Sequence, residues 1–191
     1  MILAIMGLFS FLLLGIYDIN QVKWNKKPLK SLFFIGLLIL IAASLSLLVD
    51  SGLLLEARTG QVAMLIISGV FFLLLIYALF IAIPFSKTYI TSRENDSPSV
   101  CDKGMYALCR HPGFLWFTGA YIFLALGVQS TAAILVVAVF IVCNFLYVLF
   151  QDLWTFPHIF QDYEAYKKNV PFLIPTLASI NRSFAKTRRK G

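Results

Sequence analysis

The chain has 191 residues, 60% of them hydrophobic and only 13% charged, with a net charge of +7 and a pI near 9.4. About a quarter of an ordinary soluble domain is charged, so this composition excludes one, and the charges sit in short stretches between long apolar runs, as in bilayer-spanning chains. The basic excess comes with no nucleic-acid recognition module; Lys and Arg also gather in the cytosolic loops of membrane proteins and face anionic headgroups there, so no nucleic-acid partner is expected.

In chain order, the first apolar span is expected from about Ile2 to Tyr17. No basic residue precedes it and no small-residue cleavage pattern follows, so it reads as a retained helix rather than a signal peptide. Lys23, Lys26, Lys27 and Lys30 come next, then a second span from about Ser31 to Val49. A short loop holds Glu56 and Arg58. A third span is expected over Gln61 to Phe85, followed by a polar loop over Ser86 to Pro112. Two further apolar stretches, Phe114 to Val128 and Thr131 to Phe150, are separated only by Gln129 and Ser130.

The fold expected is all-α: one polytopic membrane domain over residues 1–191 with about five transmembrane helices. The loops carry four, one and four Lys or Arg residues, and the region after Phe150 carries seven. That alternation predicts an N-terminus outside and a cytosolic C-terminus. A re-entrant hairpin over 114–150 would give the same count, so the charges leave two full spans and a hairpin open. The spans so drawn contain no Asp, Glu, Lys, Arg or His, which argues against ion-coupled transport. Cys101, Cys109 and Cys143 form no paired motif, so neither a metal site nor a disulfide framework is expected.

The informative segment is Gly104-Met105-Tyr106-Ala107-Leu108-Cys109-Arg110-His111-Pro112-Gly113-Phe114. Arg110 is a fixed cation with a planar fork of donors, and Pro112 suits a first helical turn. Gly104 and Gly113 permit unusual dihedrals or close backbone approach. The set suits an anionic group held at a helix N-terminus, and equally an interfacial anchor. The carboxylate of Asp152, just beyond the fifth span, is expected at the same depth. Phe160, Tyr163 and Tyr166 share one face of an expected C-terminal amphipathic helix.

The pattern Gly104-x-Tyr106-x-x-x-Arg110-His111-Pro112-x-Phe114, then a hairpin, an acid, and Phe160, Tyr163, Tyr166, Val170-Pro171 and Ile174-Pro175, resembles the isoprenylcysteine carboxyl methyltransferase and phospholipid methyltransferase superfamily. The resemblance covers about Ser97 to Pro175 and implies a small integral membrane enzyme using S-adenosylmethionine. Its cofactor pocket would lie on the cytosolic side, closed by the C-terminal helix. Tyr106, His111, Pro112, Gly113 and Phe114 match cofactor-contacting positions, as do Pro98, Ser99, Val100 and Cys101; Gly104 and Arg110 support them. Asp152 is a further cofactor contact that the resemblance implies, and it falls where the family usually has a glutamate. Gln161 replaces a usual glycine. Val148 stands where the carboxyl methyltransferases carry a substrate-contacting arginine, so the resemblance implies methyl transfer to a lipidic or membrane-soluble acceptor without specifying a carboxylate. A non-catalytic relative that binds a ligand or partner is the alternative.

Overall fold

A computed structural model describes residues 1–51, 58–82 and 99–181. Its described secondary structure is helical. The helices are α1 (Ile2–Ile19), α2 (Leu32–Asp50), α3 (Thr59–Ile76), α4 (Met105–Leu108), α5 (Pro112–Val128), α6 (Thr131–Phe150), α7 (Phe156–Ile159) and α8 (Tyr163–Asn169), with a last helical turn at 177–181. Short π or 3-10 turns lengthen several of them. Four continuous helical stretches are long and apolar enough to cross a bilayer: Ile2–Trp24, Lys27–Asp50, Thr59–Ile81 and Thr131–Ile159. The shortest of these has 23 residues, about 34 Å against a hydrocarbon core of about 30 Å. Helix α5 is also apolar but has 17 residues. The chain is thus a multi-pass membrane helical bundle.

Side-chain distribution agrees with a lipid solvent. Leu12, Phe34, Leu38, Ile66, Leu73 and Leu135 are all more than half exposed. Helices that are apolar around their whole circumference stay stable in lipid because lipid is as apolar as their side chains. The interior is held instead by packing and by polar contacts between backbones at close approach. Ser10 Oγ donates to the Gly36 carbonyl at 2.7 Å, tying α1 to α2. Ser68 Oγ donates to Ala120 O at 2.8 Å and Gln61 Nε2 to Gly127 O at 3.0 Å, tying α3 to α5. Ser44 donates to Leu40 O, which leaves the Tyr121 hydroxyl to donate to Ser44 Oγ at 2.6 Å. Around Tyr121 the rings of Phe72, Phe117 and Phe140 close the core at 4.4–5.4 Å between centroids.

The five expected apolar stretches are helical within the described residues, with shifted ends, and four of them are long enough to cross. The first helix passes Tyr17 and continues to Trp24, which carries Asp18 into it as a buried residue. The reason is local: nothing from Asp18 to Trp24 is Pro or Gly, and Asn25 ends the run in a left-handed conformation (φ 46°). The fifth continues from Phe150 to Ile159. For the third, residues beyond 82 lie outside the described part. Gln129, at φ 54°, turns the chain between α5 and α6. Three helix ends widen into π turns, at Asn20–Trp24, Tyr77–Ile81 and Gln151–Thr155. All three gather at one end of the bundle, where the motif lies; π turns recur at functional sites.

Candidate functional site

Gly104 opens the site at φ 57° and ψ −128°, a conformation that side chains exclude. The single turn α4 follows, then an extended Cys109, and Pro112 begins α5 at its first turn. Between the two helices, Arg110 N donates to Pro171 O at 2.9 Å and His111 N to Phe172 O at 3.3 Å. The motif is thereby paired to the segment beyond α8.

Asp152 is the centre of the arrangement. Arg110 grips it in bidentate fashion, Nε to Oδ1 at 2.7 Å and Nη2 to Oδ2 at 3.0 Å. His111 Nε2 lies 3.2 Å from Oδ1, and the Tyr163 hydroxyl donates to the same oxygen at 2.6 Å. The remaining Arg110 nitrogen donates to Val170 O at 2.7 Å and Lys167 O at 3.3 Å. Asp152 and His111 are 3% and 5% exposed, so this is a desolvated, mutually satisfied network, not a surface ion pair. The His111 ring stacks on Phe156 (5.7 Å, 11°) and meets Phe172 edge-on; the Arg110 guanidinium lies 5.5 Å from the Phe172 ring centre.

Protonation follows from this packing. Burial pushes His111 below its ordinary value, partly offset by its hydrogen bond to Asp152. A neutral imidazole facing a carboxylate carries its proton on Nε2 and donates it. Burial, aided by the bond to Asp152, pushes the Tyr163 hydroxyl well up, and burial does the same to Tyr166; both are donors at neutral pH. Burial lifts the Cys109 thiol to about 11, which keeps it from being a nucleophile.

The other expected positions fall into place unequally. Tyr106 is a tether: its hydroxyl donates to Ala78 O in the α3 π turn at 3.0 Å, and its carbonyl accepts from Tyr166 at 2.6 Å. Pro112 is buried at the start of α5. Phe114 packs edge-on against Phe145 at 5.8 Å. A Cβ at Gly113 would meet Leu79 and Leu75 at ordinary contact distance, so packing does not demand glycine there. Val100 N donates to the Asp162 carboxylate at 3.0 and 3.2 Å; Ser99 is exposed and Cys101 half-buried. Pro98 lies outside the described residues. A cleft of about 450 Å³ separates this strip from α8, lined by Val100, Asp102, Ala107, Asp162, Tyr166 and Val170 among others.

The expected C-terminal helix is broken into a π turn, α7 and α8, because Phe160 is extended (φ −111°, ψ 120°). Its aromatic stripe nevertheless faces the motif. Two features escape a sequence reading. One is the role of Tyr163 as a donor to Asp152. The other is a second polar group on the opposite side of Asp152: Gln151 Nε2 donates to Asp18 Oδ2 at 2.9 Å and to the Tyr147 hydroxyl at 2.8 Å. The only sequence signal for it is an acid placed directly after an apolar run. Thr155 Oγ1, Trp116 Nε1 and Thr118 Oγ1 are buried with no hydrogen-bond partner among the described residues. Thr155 stands in the π turn three residues after Asp152 and is 1% exposed.

Compared with known proteins, the chain matches no family model, no curated protein and no solved structure.

Proposed function

We propose that the chain is an integral membrane methyltransferase that uses S-adenosylmethionine to methylate a lipidic or membrane-soluble acceptor at the cytosolic face. The observation that carries this reading is the convergence of the Gly104–Phe114 motif, Asp152 and the Tyr163–Tyr166 stripe on one place, with a buried hydroxyl, Thr155, three residues after Asp152 in the same turn and unsatisfied among the described residues. A buried polar atom without a partner is costly, and a ligand with a donor or acceptor at that position would satisfy it. The nearby cleft has a volume in the range of small-molecule sites, and its Asp102 and Asp162 carboxylates suit a cationic ligand.

S-adenosylmethionine supplies a methyl group already activated on a sulfonium. The chain's residues then have to orient the two reactants and exclude water. His111 and Thr155 bind polar atoms. Phe114, Phe145, Phe156 and Phe172 form the dry wall. Arg110 holds the closing segment down through Asp152 and the carbonyls of Lys167 and Val170. In the same reading α5 and α6 are full fourth and fifth spans, the N-terminus is outside and the C-terminus cytosolic, following the Lys and Arg alternation. The segment over α7 and α8 is the amphipathic cover of the site.

The test is calorimetric titration of S-adenosylmethionine and its demethylated product into the detergent-solubilised protein. Loss of one hydrogen bond to a charged ligand costs about 1.5–3 kcal/mol, roughly ten- to a hundredfold in affinity. His111→Ala is expected to weaken binding by that order. Asp152→Asn is expected to weaken it less, and Val148→Ala to leave it unchanged. Thr155→Val separates the two states of the hydroxyl. If a ligand uses it, affinity falls; if none does, removing an orphaned hydroxyl stabilises the fold and changes no affinity. A parent protein that binds neither compound would sink the proposal.

A second reading has its own observation. Arg110, His111, Asp152 and Tyr163 satisfy one another so completely that they also suit a structural clasp in a non-catalytic relative. Binding without turnover of any lipid acceptor would favour it.

A further inference from the structure

The loop between α1 and α2 carries Lys23, Lys26, Lys27 and Lys30, all exposed, and none has an acidic partner among the described residues. Such a run is ordinarily a loose solvated face, but this one is built. Asn20 is fully buried and clasps the loop from inside: its Nδ2 donates to Lys26 O at 3.1 Å and its Oδ1 accepts from Lys26 N at 2.8 Å. Its own carbonyl accepts from Asn25 N at 2.7 Å, and Asn25 takes the left-handed turn. Pro28 then starts the 3-10 turn Lys27–Ser31. The side chain of Asn20 thus sets the backbone that displays the lysines.

The surroundings match the polar edge of a bilayer. Trp24 is half exposed beside the lysines. Lys23 Nζ lies 5.6 Å from the centre of the Trp154 ring, which also contacts Phe150 and His158. Tryptophan and lysine together at a helix end mark the headgroup level. Two acids near the patch in sequence have other partners: Asp18, five residues before Lys23, is held by Gln151, and Asp152, two residues before Trp154, by Arg110.

We propose that this loop, with Trp24 and Trp154, is a binding site for the phosphate-bearing headgroup of an anionic membrane lipid. The lysines supply the charge, the aromatic rings fix the depth, and Asn20 fixes the shape. The site is separate from the methyl-transfer reading and stands or falls without it. Because Trp154 follows Asp152 by two residues on the same π turn, a bound headgroup would brace the end of α6 that holds the clasp.

The test is native mass spectrometry of the full chain from an uncharged detergent, with phosphatidylglycerol and phosphatidylcholine of matched acyl chains as probes. The parent is expected to prefer phosphatidylglycerol by about tenfold or more, the scale set by several lysines at an anionic surface. Replacing all four exposed lysines (K23Q, K26Q, K27Q, K30Q) is expected to remove that preference. The pair Lys103→Gln and Lys168→Gln, which lowers net charge elsewhere, is expected to keep it. Asn20→Ala leaves every charge in place and is expected to reduce the preference. A preference that survives the four-lysine variant, or falls equally in the control pair, overturns the site. A preference untouched by Asn20→Ala in folded protein means diffuse attraction and overturns the built loop. Inorganic phosphate that abolishes it at millimolar concentration assigns the site to free phosphate and overturns the lipid.

Discussion

Arg110 divides its guanidinium between one carboxylate and two carbonyls of a segment about sixty residues away, and this division explains why the position needs arginine. Lysine is a point charge without a planar fork and cannot reproduce the bidentate grip while reaching Val170 O. Removing one partner of a buried pair costs about 3–5 kcal/mol, because the other is left charged and unpaired. Arg110→Ala is therefore expected to lower the unfolding temperature in detergent sharply, and Arg110→Lys to fall between it and the parent. His111 makes a pH prediction. Its folded value lies below the ordinary 6.5, so below that pH the unfolded chain takes up a proton that the folded one refuses. Stability contributed by neutral His111 is present above about pH 6.5 and lost on acidification, by at most about 1.4 kcal/mol per pH unit. Thermal unfolding followed from pH 7.5 to 5.5 should show this loss, and His111→Gln should flatten it. An unchanged slope in that variant would place the titration elsewhere.

Small residues set helix contacts by what they leave out. A Cβ on Gly7 would collide with the ring of Phe140, which is fully buried, so the ring or the helix has to shift. Gly7→Ala is expected to cost about 1–3 kcal/mol, the usual scale of overpacking. Gly15, on the same helix with no described residue within 4 Å of its missing Cβ, is the internal control; Gly15→Ala should leave the unfolding temperature unchanged or slightly higher. Equal losses in both variants would mean that the Phe140 contact is not the cause. The closing segment makes the other element-level prediction. Truncation after Ile159 removes the hydroxyls of Tyr163 and Tyr166 and the carbonyls that Arg110 and His111 use. It should destabilise the α4–α5 junction, read as faster amide exchange around Arg110, and abolish binding of S-adenosylmethionine. A truncated protein with full affinity would show that the segment is no cover.

For the whole molecule, the Lys and Arg alternation predicts that a reporter fused after Lys190 stays in the cytosol; one found outside would invert the bundle and move the motif to the other membrane face. The helical class and the approximate limits of the apolar stretches were legible in the sequence, because a span needs only about twenty consecutive apolar residues and the bilayer supplies the rest. Helix ends were less legible. The run past Tyr17 depends on Asn20 and Asn25 closing the loop, and the break at Phe160 depends on the aromatic stripe being drawn toward the motif. That Asp152 lies at the depth of Arg110 and His111 could be read from position, but their pairing could not. The family resemblance implied that His111 and Asp152 contact a cofactor; the structure makes Asp152 the acceptor for Arg110, His111 and Tyr163. Likewise, Asp18 and Gln151 are 133 positions apart and meet only because α1 packs on the end of α6. Hydrophobic length is a local property and survives in one dimension, so the sequence by itself determined that this chain lives in a membrane as helices. Which polar groups satisfy which is decided by packing between segments, and only the tertiary structure settles it.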